Sequence, residues 1–116
     1  MHTMHDILVC THNPILLKSL YGVLRDEGFD VAISDHPALA VQMVLKKDYA
    51  AVLIDAQTFG LPVDDSIQII KSISPEATVI VIGSSEYDSD ALSVRIPVDL
   101  AEVKKLVHNM NTVSKI

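Results

Sequence analysis

Three short, unbroken apolar runs closed by turn-forming or polar residues constrain this chain more than any other feature. They are Ile7 to Cys10, Ala50 to Ile54 ending in Asp55, and Val79 to Ile82 between Thr78 and Gly83. An apolar run without alternation suits a strand buried on both faces, as in a parallel sheet covered by helices on each side. A fourth run, Phe29 to Ile33, is β-like but mixed. A fifth, Leu92 to Ile96, alternates and reads as an edge strand.

Helical stripes separate these runs. Asn13 is a candidate N-cap and Pro14 suits a first turn; Leu16, Leu17, Leu20, Val23 and Leu24 then share a face, and Gly28 stops the helix. A second helix follows Asp35, with Ala38, Val41, Val44 and Leu45 expected to face inward. A third starts near Asp64 or Asp65, where carboxylates suit the free N–H groups. It carries Ile67, Ile70 and Ile73 and ends before Pro75. A last helix starts near Asp99, with Leu100, Val103, Leu106, Val107 and Met110 at helical spacing. The order β-α-β-α-β-α-β-β-α predicts an α/β doubly wound, mainly parallel five-stranded sheet with four helices. Only eight residues, Ser84 to Ala91, join the fourth and fifth runs. They are polar and fewer than the ~10–12 that a helical crossover needs, so a loop replaces a crossover helix there or the last strand runs antiparallel.

The chain has 116 residues and reads as one domain over 1–116, with about 4–110 structured and 111–116 a tail or the start of a linker. A formal net charge of −6 argues against nucleic-acid binding by this domain, because phosphate contacts need a basic face. A single cysteine, Cys10, excludes an internal disulfide framework and suits a reducing, cytoplasmic setting. No apolar stretch approaches the ~20 residues of a membrane span. His2, His5, His36 and His108 lack metal-ligand spacing and read as surface residues.

Ligands of doubly wound sheets bind beyond the carboxyl ends of the strands. Cys10 to Asn13, Asp55 to Gln57, Gly83 to Ser85, and Ile96 with Pro97 are expected to meet there. Asp55 ends a buried strand, where a carboxylate either caps a backbone N–H or serves as a nucleophile that accepts a phosphoryl group. Cys10 offers a remote alternative as a phosphocysteine, but its loop has no Gly and Pro14 supplies no N–H, so a buried core thiol is the favoured reading.

Ile7 to Val9 followed by Asn13-Pro14, the run from Tyr49 to Asp55, and Arg95 to Leu100 together resemble a response-regulator receiver domain over nearly the whole chain. The resemblance implies the flavodoxin-like receiver fold, Asp55 as phosphoacceptor and a histidine kinase as phosphoryl donor. It also implies a switch region at Gly83, Ser84, Arg95, Ile96 and Pro97. Receivers hold Mg²⁺ with two acids after the first strand; those positions here are Thr11 and His12. Receivers place a lysine before the proline of the switch region; Ile96 stands there instead, with Arg95 one position earlier. Ser or Thr normally follows the fourth strand, and Gly83 falls at that place, with Ser84 next. Mg²⁺ prefers an octahedral set of hard oxygens, so weak Mg²⁺ binding at best, with no other cofactor, is expected. These departures indicate a degenerate receiver that is not an enzyme and works through a protein partner or as a homodimer. Val81, Val94 and Ile96 are candidate interface residues, because a missing helix would uncover the sheet beside them. Phe59 and Leu61 read as a lid over Asp55 or as partner contacts, and Pro62 as a turn residue. His12, if close to Asp55, could partly replace the cation, though a solvent-facing helix-start histidine is the simpler expectation.

Overall fold

The computed structural model describes residues 6–56, 63–83, 92–94 and 100–113. In chain order the elements are β1 (Asp6–Cys10), α1 (Pro14–Asp26), β2 (Asp30–Ser34), α2 (Pro37–Lys46), β3 (Ala51–Asp55), α3 (Val63–Ile73), β4 (Thr78–Ile82), β5 (Leu92–Val94) and α4 (Leu100–Val113). The strands form one five-stranded sheet in the order β2-β1-β3-β4-β5, and every pairing is parallel. The strand order reverses at β1, so the carboxyl ends of β1 and β3 lie side by side at the switch point where this architecture builds sites.

Strict alternation of side chains divides the interior into two layers. Ile7, Val9, Leu53 and Ile82 face one side and pack with Leu20 and Leu24 of α1 and Val103 and Val107 of α4. Leu8, Cys10, Ile54 and Val81 face the other and pack with Ala40 and Val44 of α2 and Ile67 and Ile70 of α3. Strands β1, β3 and β4 are buried on both faces, which is why they read as unbroken apolar runs. Strand β2 lies at the sheet's edge, and its Ile33 is 45% exposed.

The ends of α1 follow from local chemistry. Asn13 Oδ1 accepts from the N–H groups of Ile15 and Leu16, and Pro14 needs no donor partner in the first turn. At the other end Gly28 N–H donates to the Arg25 carbonyl and Phe29 N–H to the Leu24 carbonyl, the paired bonds of a Schellman stop. Gly28 takes φ +91°, which a Cβ would disfavour. Phe29 is buried beside Leu24 in this stop. The second strand therefore begins one residue later than the apolar pattern indicated.

Several further expectations are corrected. Leu45 is 64% exposed, because the inward stripe of α2 runs through Pro37, Ala40 and Val44. Helix α2 is capped by His36, whose Nδ1 accepts from Ala38 N–H, so this histidine is a half-buried cap and not a surface residue. Helix α4 runs from Leu100 to Val113; residues 111–113 contain neither Gly nor Pro to stop it. Strand β5 pairs parallel to β4, with Ile82 opposite Val94, which excludes the antiparallel alternative. No helix intervenes between β4 and β5 among the described residues. Val81 is fully buried beneath α3, so it cannot contribute to an interface. Its side chain packs on the face that Ile67 and Ile70 cover.

Polar contacts also form at the opposite rim. Lys47 Nζ lies 2.7 Å from Asp6 Oδ2, and this carboxylate holds the ammonium above its ordinary pKa. The same ammonium sits 5.9 Å from the ring centre of buried Tyr49. His108 of α4 meets Glu27 at the end of α1 at 2.8 Å.

Candidate functional site

The site lies where the carboxyl ends of β1, β2 and β3 meet. Register places Cys10 of β1 between Ser34 of β2 and Ile54 of β3. The next residue of β1's path, Thr11, donates its N–H to the Ser34 carbonyl, which prolongs the ladder by one bond. Beyond Ile54 comes Asp55, the last residue of β3, only 6% exposed. Thr11 and Asp55 thus face each other across the β1–β3 pair. The Thr11 hydroxyl donates to Asp55 Oδ2 at 2.7 Å, and both side chains are buried. Thr11 Oγ1 also accepts from Asn13 N–H at 3.0 Å. One hydroxyl therefore serves as donor to a carboxylate and acceptor from the backbone, using the capacity of its oxygen on both sides.

Beside this pair, Ser34 Oγ donates to the His36 carbonyl and accepts from His36 N–H, closing a compact turn before α2. Cys10 is buried beneath it, and burial chiefly pushes its thiol up to about 11; Ser34 counteracts this, while Asp55 and Asp35 add to it. A neutral buried thiol is a poor nucleophile. The phosphocysteine alternative loses its chemistry for that reason. Ser34 and His36 were not singled out from the sequence as members of this rim. The Ser-x-His-Pro spacing before a helical stripe was the available signal, since Pro37 at N1 implies a capping side chain just before it.

No family model and no curated protein matches this sequence. Solved structures do match it. A response-regulator receiver domain protein from Clostridium thermocellum superposes with a TM-score of 0.82 at 20% identity, covering 97% of this chain and 98% of that one. The beryllofluoride-activated NtrC4 receiver domain dimer gives 0.83 at 18% identity over 96% and 99%. The chain has the receiver fold. The receiver domain of the sensor histidine kinase PA1611 from Pseudomonas aeruginosa, with a magnesium ion in its active-site cleft, gives 0.79 at 18% identity over 93% and 98%.

Within the receiver fold, Asp55 stands at the end of the central strand, as the sequence indicated. Thr11 and His12, which the sequence resemblance sets against an acid pair, follow β1; Thr11 is buried and His12 is exposed. These residues do not fit Mg²⁺. The donor set is one carboxylate whose Oδ2 already accepts a hydroxyl proton, a neutral hydroxyl and an imidazole, whereas the ion prefers several hard anionic oxygens. Among the described residues no three His, Cys, Asp or Glu side chains converge. Gly83 follows β4 with φ +94°, a conformation that Ser or Thr rarely adopts, so the backbone there selects glycine over a hydroxyl. Ser84, Arg95, Ile96 and Pro97 of the switch region, and Phe59, Leu61 and Pro62 of the loop after β3, lie outside the described residues, as does the side chain of Val94. Among the described residues no helix is long and apolar enough to cross a membrane.

Proposed function

We propose that this chain is an atypical receiver module that signals chiefly through protein–protein contact, with weak or absent Mg²⁺-dependent phosphorylation of Asp55. The observation that carries this reading is the 2.7 Å bond from the Thr11 hydroxyl to Asp55 Oδ2, made at the position where a metal-binding acid is expected. Phosphoryl transfer depends on positioning and on neutralising charge on the transferred group. A hydroxyl that donates to the acceptor carboxylate supplies neither a metal ligand nor a cation, and it stabilises the unmodified carboxylate. The module itself then performs no catalysis and acts in the cytoplasm.

The partner is another protein or a second copy of the chain. Dimer formation in the NtrC4 receiver supports the second choice. Val94 and Ile96, at and beyond the edge strand β5, are the contact candidates, and a charge at Val94 is expected to weaken self-association. The alternative is a working phosphoacceptor fed by a histidine kinase. It is favoured by the buried place of Asp55 at the end of the central strand. Incubation with acetyl phosphate and millimolar Mg²⁺, followed by intact-mass measurement, separates the two. Little or no mass gain is expected. Stoichiometric acyl phosphate on Asp55, absent from Asp55→Asn, establishes the alternative and ends the proposal.

A further inference from the structure

A series of hydrogen bonds joins the buried end of β3 to the exposed start of α1. Asp55 Oδ2 accepts from the Thr11 hydroxyl at 2.7 Å, and Thr11 Oγ1 accepts from Asn13 N–H at 3.0 Å. Asn13 Oδ1 in turn accepts from the N–H groups of Ile15 and Leu16 at 3.0 and 3.1 Å. The single proton of Thr11 is directed at Asp55, which leaves its lone pairs for Asn13. A hydroxyl that donates to an ionised carboxylate is polarised and becomes a stronger acceptor, so the two bonds of Thr11 strengthen each other. The residue at the far end, Ile15, is 78% exposed.

We propose that Thr11 is a positioning residue that couples Asp55 to the first turn of α1, so that a change of charge at Asp55 emerges at the surface around Ile15. This deepens the reading of the chain as an atypical receiver and rests on it. Neutralising Asp55 weakens the acceptor at the buried end. Thr11 is then less polarised, its bond to Asn13 N–H weakens, and the cap that holds the first turn loosens. The β1–α1 turn, occupied in a metal-binding site by ion ligands, serves here as a mechanical link.

Amide hydrogen exchange in the intact chain tests this, measured by NMR at Asn13, Ile15 and Leu16 in the native protein, Thr11→Val, Thr11→Ser, Asp55→Asn and the Thr11→Val/Asp55→Asn double variant. The amides of Leu53 and Ile80, at the centre of the sheet, report global opening and serve as the internal reference. Relative to them, Thr11→Val is expected to speed exchange at Asn13 by about five- to tenfold, the loss of one hydrogen bond. Asp55→Asn is expected to give a smaller change of the same sign, and the double variant no more than Thr11→Val alone, since the two act on one chain of bonds. Thr11→Ser restores the native rate, which a role limited to packing of the threonine methyl does not predict. Multiplying effects of Thr11→Val and Asp55→Asn, or an unchanged Asn13 rate in both, overturn the coupling. Where Thr11→Val fails to fold, Asp55→Asn decides alone: faster exchange at Asn13 relative to Leu53 and Ile80 supports the coupling, and an unchanged rate overturns it. Acyl phosphate formation on Asp55 bears on the receiver reading alone, so the two failures are distinguishable.

Discussion

Replacing Asp55 with Asn lowers the stability of this domain by about 1–2 kcal/mol, and the sign is the informative part. Where acids cluster to hold a metal ion, neutralising one of them relieves like-charge repulsion, which favours the folded state when no ion is bound. Here the residues that follow β1 are Thr11 and His12, neither of them an acid, and Asp55 accepts the Thr11 hydroxyl proton at 2.7 Å inside a buried pair. A hydrogen bond to a charged group contributes roughly 1.5–3 kcal/mol, against roughly 0.5–1.5 for a neutral one. The difference, about 1 kcal/mol, is lost on going to the amide. The new NH₂ group, buried where a carboxylate oxygen stood, adds a further desolvation cost of about 1 kcal/mol unless it finds an acceptor. With a urea slope of ~1–1.5 kcal/mol per M for a domain of this size, the midpoint falls by about 1 M with the slope unchanged. Equilibrium urea unfolding followed by circular dichroism, with and without Mg²⁺, measures both quantities. An Asp55→Asn variant equal to or more stable than the native chain, or a native midpoint that rises with millimolar Mg²⁺, refutes the reasoning, because either result requires an acid cluster at this site.

Other consequences can be checked by the same assays. Ser66 of α3 is fully buried and its Oγ has no hydrogen-bond partner among the described residues, so Ser66→Ala is expected to stabilise by about 1–2 kcal/mol, read as a higher urea midpoint. The Cys10 thiol, raised from 9.0 to about 11 by burial, keeps its proton in the folded chain at pH values where the unfolded chain has lost it. Stability from this group is therefore complete below pH 9 and declines as pH rises through 11, and a thiol reagent at pH 8 is expected to label Cys10 only after denaturant is added. Val81→Ala is expected to cost about 2 kcal/mol in urea unfolding and to leave the sedimentation behaviour unchanged, since this side chain is core and not surface.

Strands β1, β3 and β4 were legible because burial on both faces leaves a continuous apolar signature that needs no knowledge of neighbours. Helix starts were legible where a cap is local, as at Asn13-Pro14, and less so at His36, whose capping nitrogen is an uncommon solution. Leu45 was misplaced because apolar identity does not say which side of a short helix the sheet occupies. Val81 was misjudged for a related reason. A missing crossover helix suggested an uncovered sheet, but α3 lies over that strand face and covers it. For the candidate site, the place of Asp55 beside the end of β1 followed from the end of an apolar run in a parallel sheet.

The sequence by itself determined the alternation of strands and helices, a mainly parallel sheet and the position of Asp55 at a strand terminus. These are local patterns, written within a few residues and independent of distant partners. Only the tertiary structure decided that the Thr11 hydroxyl donates to Asp55, 44 positions away, at 2.7 Å, that Cys10 is buried beneath the same rim, and that β5 runs parallel to its neighbour. Each of these depends on which strands lie side by side and in what register, and a parallel sheet brings such groups together through crossovers whose geometry no short stretch of sequence encodes.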